Sequence, residues 1–240
     1  MESNLKTWSL WPDEGTFSHP ETPGLIAQVK KSAPARDVVK SQRWGRVRIF
    51  KNLKSSQQIV AESQLEYWFA LHLFLDHDVA ELGTQPETLE IVCAGARVKY
   101  TPDFWVNRRG TLFYVEVKPM SKLADPDVAE KLRRAKLHLN QRGVQFTVVT
   151  DRKILEPNPR RNAELIYRYR NCPRDADVVE RMRDFLCGGA RKIHDVERVV
   201  GGAVAQAHIM RALLFNELGF AAQEPLTPAT WVWWTGSAAK

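Results

Sequence analysis

Glu116 and Lys118 stand two residues apart in the run Phe113-Tyr114-Val115-Glu116-Val117-Lys118, which Pro119 ends. A run this rich in β-branched and aromatic residues reads as a strand, and in a strand residues i and i+2 share a face. Glu116 and Lys118 therefore lie on one face, with the apolar Val115 and Val117 on the other. The sheet must then accommodate an acid and a base where two apolar side chains would cost less. A second acid precedes them. In Thr101-Pro102-Asp103-Phe104-Trp105-Val106 a Pro-Asp pair opens another strand-like run, and twelve residues separate Asp103 from Glu116. Asn107-Arg108-Arg109-Gly110 between them reads as a hairpin turn, which brings Asp103 and Glu116 onto neighbouring strands.

Two carboxylates and an ammonium gathered in this way are the residue set of a metal-dependent phosphodiester hydrolase. Such a reaction needs an in-line water, neutralised charge on phosphorus and a stabilised leaving oxygen. Asp103 and Glu116 are the expected ligands of Mg²⁺, with Mn²⁺ as a substitute, and the Val117 carbonyl completes the protein side. Lys118 is expected to orient or deprotonate the attacking water, with its pKa pulled down beside the metal. A second ion needs a further carboxylate. Glu66, in Ser63-Gln64-Leu65-Glu66-Tyr67-Trp68, is the candidate, with Glu62 one turn earlier as the alternative. Gln85, in Gly83-Thr84-Gln85-Pro86, is placed near the site in a supporting role. The plainer readings are a helix-surface contact for Glu66, a turn for Asp103, and a cross-strand ion pair for Glu116 and Lys118.

Along the chain, residues 1–27 read as an irregular N-terminal segment, and 28–156 as a basic arm followed by the domain that carries this site. The apolar stripe from Ile59 to Leu75 predicts a helix. Strands are expected at Leu89–Cys93, from Arg97 to Val106 and from Leu112 to Lys118. Asp125-Pro126-Asp127 opens a helix through about Gln141, Gly143 stops it, and Val144 to Thr150 is a further strand. Helix, three strands, helix, strand describes a mixed α/β sheet flanked by helices. Pro157-Asn158-Pro159-Arg160-Arg161 reads as a linker into residues 157–240. There, helical patterns at Ala163–Arg170, Ala176–Leu186, His194–Val200 and Val204–Leu218 precede a strand-like Trp231–Trp234, suggesting a small helical domain of winged-helix type.

Charge points to a polyanionic partner. The net charge is +7, yet nine Lys or Arg against Asp37 alone give +8 between Gln28 and Lys54. Counterion release from DNA exploits such a tract, and Lys40, Arg43, Arg46, Arg48, Lys51 and Lys54 are its candidate contacts. Cys93, Cys172 and Cys187 have neither disulfide-framework nor zinc spacing, which suits a reducing, cytoplasmic compartment. No run approaches a membrane span.

These segments resemble a known family, the TnsA endonuclease subunit of heteromeric transposons, within the restriction-endonuclease-like PD-(D/E)xK group. Glu62-Ser63-Gln64-Leu65-Glu66, Gln85-Pro86, Tyr100-Thr101-Pro102-Asp103-Phe104, Val115-Glu116-Val117-Lys118-Pro119 and Val148-Val149-Thr150 carry the resemblance over about Ala35 to Thr150. Ala212–Leu218 and Glu224–Thr230 also look like that family's C-terminal domain. The resemblance implies a restriction-endonuclease-like fold and a Mg²⁺-dependent cut at the 5′ ends of a transposon in a bacterial cytoplasm, with two ions. By motif, Glu66, Asp103 and Glu116 would be metal ligands and Lys118 the catalytic lysine. The implied partners are transposon-end DNA, a TnsB-like DDE transposase and, through the C-terminal domain, a TnsC-like AAA+ regulator. Two other readings stand beside it: a stand-alone restriction or repair nuclease, and a non-catalytic DNA-binding assembly subunit.

Overall fold

The computed structural model describes residues 11, 23–31 and 47–236. The chain divides into two compact units, one containing the described residues up to Leu73 together with Asp78–Ile154, the other Phe74–His77 and residues 155–236.

The first unit is built on a four-stranded mixed sheet. Strands β1 (Arg48–Lys51) and β2 (Gln58–Ala61) form a separate hairpin that leads into helix α2 (Gln64–Leu75); a short helix, α1 (Pro23–Lys31), precedes them. Then come β3 (Val79–Thr84), the hairpin β4 (Leu89–Cys93) and β5 (Ala96–Tyr100), and the strands β6 (Phe104–Arg108) and β7 (Thr111–Lys118). Helix α3 (Pro126–Gln141) crosses over to β8 (Gln145–Thr150), which runs parallel to β7. The sheet order is β3-β6-β7-β8, antiparallel except for the last pair. Arg109 and Gly110, with φ of 50° and 78°, make the tight β6–β7 turn that the right-handed twist of a hairpin favours. Asp125 caps α3, its side chain accepting from the N–H groups of Asp127 and Val128, with Pro126 in the first turn.

Cross-strand pairs identify the faces. Trp105 opposes Tyr114, and both are buried with Leu112, Leu132, Ala135, Leu139 and Phe146 beneath α3 and the β4–β5 hairpin. Phe104 opposes Val115 on the other face, where Phe69 of α2 meets Phe104 edge-on at 5.1 Å. Helix α2 is apolar all round and buried from Phe69 to Phe74, as a helix enclosed by protein must be.

Several expectations are corrected. Ile59 and Val60 belong to a strand, not to the start of a helix, because Ser63 caps α2 and β1 pairs with the preceding segment. The helix Pro23–Lys31 begins inside the N-terminal segment expected to be irregular. Strand β3 carries Gly83 in its interior, where a methyl group would overlap the Trp105 indole. The expected strand Arg97–Val106 is two strands in two sheets, broken at Thr101-Pro102-Asp103, where proline cannot continue a ladder.

The second unit begins where a linker is expected, with a helix: α4 (Asp151–Ile154) lies in the first unit, and α5 (Pro157–Tyr167) opens with Pro157 at its first turn, a position that needs no N–H. Helix α6 (Ala176–Leu186), strand β9 (Arg191–Lys192), helices α7 (Ile193–Val200) and α8 (Ala205–Leu214), and strands β10 (Leu218–Phe220) and β11 (Trp231–Trp234) follow. The sheet order β10-β11-β9, with the last strand central, is winged-helix-like. The expected helix Val204–Leu218 ends early, at Leu214; Asn216, with φ of 59°, turns the chain, and Leu218 opens β10. Asn162 of α5 holds the β10–β11 loop through Ala222, Glu224 and Leu226.

Candidate active site

Asp103, Glu116 and Lys118 come together as the strand pattern requires. Asp103 directly precedes β6, and Glu116 lies near the end of β7, one residue past the last β6–β7 pair, Phe104 with Val115. Because β6 has ended, the N–H of Val117 has no strand partner on that side, and Asp103 Oδ2 accepts from it at 2.8 Å. In an extended strand the carbonyl of a residue points the same way as its N–H, so the Val117 carbonyl faces the same opening.

Glu116 is only 3% exposed, and both its oxygens are engaged. The Lys118 Nζ lies 2.6 Å from Oε1, and the Tyr100 hydroxyl donates to Oε2 at 2.6 Å. Sequence reasoning assigned Tyr100 no role; the available signal is that Val98 and Tyr100 turn inward while Arg97 and Lys99 turn out.

Glu66 sits at the third position of α2 in a capping box. Ser63 Oγ accepts from the Glu66 N–H and donates to Oε1, while Oε2 accepts from the Glu62 N–H at 2.7 Å. This aims the carboxylate at the helix N-terminus, where the dipole favours negative charge. Glu62 is held by the Gln85 amide, and the Gln85 N–H donates to the Asp103 carbonyl at 2.9 Å.

The electrostatics are those of crowded acids. Burial pushes the Asp103 carboxyl well above the usual carboxylate range, and the charges of Glu116 and Glu66 add to it against Lys118 and the Val117 N–H. Burial likewise raises Glu66, opposed by its bonds to the Glu62 N–H and Ser63, while the Glu62 charge adds to the rise. For Lys118 burial works against the charged form, but Glu116, Asp103 and Glu66 outweigh it and hold the amine above its ordinary value. The expected depression of the lysine is tied to a bound metal; the protein groups by themselves push the amine the other way, toward its charged form.

Among the described residues, no group of three or more Asp, Glu, His or Cys side chains is arranged to hold a metal ion. The donor set nonetheless suits a hard divalent ion: three carboxylates and a strand-end carbonyl are all oxygen ligands, and the mutual charge repulsion at Asp103 is what a cation would relieve.

Of the candidate DNA contacts, Lys40, Arg43 and Arg46 lie outside the described residues. Arg48 lies over the Tyr67 ring at 4.6 Å, and Lys51 is exposed. Lys54 donates to the Val79 carbonyl at 2.7 Å.

A mixed sheet flanked by helices, with Pro-Asp and Glu-x-Lys at adjacent strand ends, defines a restriction-endonuclease-like core of the PD-(D/E)xK type. Residues 76–151 match the family model described as TnsA-like endonuclease N terminal, which supports a TnsA-type endonuclease domain in this segment. The match spans Asp103, Glu116 and Lys118 and stops short of Glu62 and Glu66 on the N-terminal side. No curated protein matches the chain. Among the described residues, no helix is long and apolar enough to cross a membrane.

Proposed function

We propose that this chain is a divalent-metal-dependent DNA endonuclease that cuts the 5′ ends of a transposon during cut-and-paste transposition. The observation that carries the reading is the convergence of Asp103, Glu116 and Lys118 inside the segment that matches the TnsA-like endonuclease model. Asp103, Glu116, the Val117 carbonyl and, for a second ion, Glu66 would hold Mg²⁺ or Mn²⁺. The bound ion would supply Lewis-acid stabilisation of charge on phosphorus and a more acidic water.

The chain's own groups do the rest. Tyr100 and Lys118 hold the Glu116 carboxylate between them, and the Val117 N–H holds Asp103. Lys118 would orient an attacking water or a phosphate oxygen, or take up the proton of that water once an ion is bound beside it. The basic hairpin β1–β2, with Arg48 and Lys51 exposed, leads directly into the turn that bears Glu62 and Glu66 and is proposed to meet the DNA backbone.

The partners we propose are a TnsB-like DDE transposase for the 3′ ends and a TnsC-like AAA+ regulator. For the second unit we favour partner docking over DNA reading through α8. Seven of its ten residues are buried, and its arginine, Arg211, is turned onto Glu217 at 2.9 Å, so α8 presents no basic face.

The test is excision from a plasmid carrying both transposon ends, with the partner transposase and Mg²⁺, comparing wild type with Asp103→Ala and Lys118→Ala. Wild type should release 5′ ends and both variants should not. Equal 5′ cutting by all three would refute the reading. Cutting by the wild type without any transposase would favour a stand-alone nuclease instead.

A further inference from the structure

Gln85 bears two costs that its strand does not require. It lies between β3 and Pro86, and a residue before proline is driven toward extended backbone. Gln85 instead has φ of 49°, in the left-handed region. Its side chain is buried, with 3% exposure, and its Oε1 has no hydrogen-bond partner among the described residues. Strain of this kind persists where the surroundings over-determine it, and it concentrates at functional sites.

What over-determines Gln85 is the carboxylate cluster. Its N–H donates to the Asp103 carbonyl at 2.9 Å, fixing the residue that opens β6. Its Nε2 donates to Glu62 Oε1 across 23 residues of sequence. A carboxylate can only accept, so the NH₂ end of the amide must face Glu62 and the carbonyl end must be free for another donor. Glu62 in turn supplies the N–H that holds Glu66. One residue thus joins the strand end bearing Asp103 to the turn bearing Glu62 and Glu66.

We infer that Gln85 is a positioning residue of the nuclease site, setting Asp103 against the Glu62–Glu66 turn and offering Oε1 as a buried acceptor for a site water. The inference rests on the nuclease reading above and assigns Gln85 no bond-making step.

The test uses the full chain and Mn²⁺ alone as the probe, titrated calorimetrically and followed by the electron spin resonance spectrum of the bound ion. Gln85→Met keeps the volume and removes the hydrogen bonds. Gln85→Asn keeps an amide that tolerates left-handed backbone but withdraws it from Glu62 by one methylene. Both are expected to weaken Mn²⁺ binding by about tenfold or more, as loss of a group that orients metal ligands does, and to alter the spectrum. Combining Gln85→Met with Glu62→Gln should weaken binding no further than the worse single change, because both act through one contact. Should Gln85→Met fail to fold, Gln85→Asn decides. Wild-type affinity and spectrum in a folded variant overturn the inference alone; a wild-type protein that binds no Mn²⁺ overturns the nuclease reading and this inference with it.

Discussion

The Lys118 ammonium lies 2.6 Å from Glu116 Oε1, so the two charges of the Glu-x-Lys motif neutralise each other across one strand face. Their side chains are unequally covered, Glu116 being buried and Lys118 35% exposed. The pair belongs between a surface salt bridge, which contributes little, and a buried one, whose rupture is severe.

Lys118→Met should therefore destabilise the protein by about 1–3 kcal/mol, below the ~3–5 kcal/mol of a fully buried pair. Urea denaturation of the two proteins measures it. A variant as stable as wild type would mean that solvent already screens the pair.

Tyr100→Phe removes the other donor to Glu116 without changing volume. Hydrogen bonds to charged groups are worth about 1.5–3 kcal/mol, and loss of a group that orients a metal ligand costs roughly 10- to 100-fold in affinity or activity. The expected result is a lower melting temperature and 5′-end cutting reduced at least tenfold. Unchanged cutting would show that Lys118 alone orients Glu116.

Asp103→Asn should do the opposite to stability. The Asp103 carboxyl is raised above its unfolded value, so the folded state binds the proton more tightly than the unfolded one. Stability from this group is then fully present below the unfolded pKa of about 4 and is lost as pH rises through the higher folded value. Without divalent ions, Asp103→Asn keeps an acceptor for the Val117 N–H and is expected to gain about 0.5–2 kcal/mol at neutral pH while cutting is abolished. Thermal melts with EDTA at acid and neutral pH provide the check, and the gain should shrink in acid.

In the second unit, Glu217 is wholly buried between Arg211, at 2.9 Å and 8% exposed, and the more open Arg174. Glu217→Ala leaves the Arg211 charge buried and unpaired, at a cost of about 3–5 kcal/mol. Arg174→Ala, at an exposed partner, should cost no more than about 1 kcal/mol. Chemical denaturation of both variants tests the contrast; similar losses would contradict the burial argument.

How far the site could be read from sequence varied with the range of the signal. Asp103, Glu116 and Lys118 were readable because strand alternation, a turn-forming Arg109-Gly110 and strand-stopping prolines all act within a few residues. Glu66 was half readable: Ser63-x-x-Glu66 is a local capping box, but its helix was drawn too long, since the apolar Ile59 and Val60 satisfy a helical stripe as well as a strand. Proline misled at residues 157–161, where the same residue that breaks a helix interior also starts a helix.

Strand alternation, turn chemistry and helix periodicity, all local, place an acid and a base on one face of a strand, a second acid on the neighbouring strand, and a crossover helix that returns the chain to the sheet. What surrounds those charges depends on long-range packing. Tyr100 reaches Glu116 across 16 residues, and Gln85 reaches Glu62 across 23. Their nearness depends on how a separate hairpin and the end of β3 pack around β6 and β7, a matter of sheet order and burial that local backbone preference does not encode. The upward push on the Lys118 amine belongs with these, because it comes from three carboxylates that assemble only when the fold is complete.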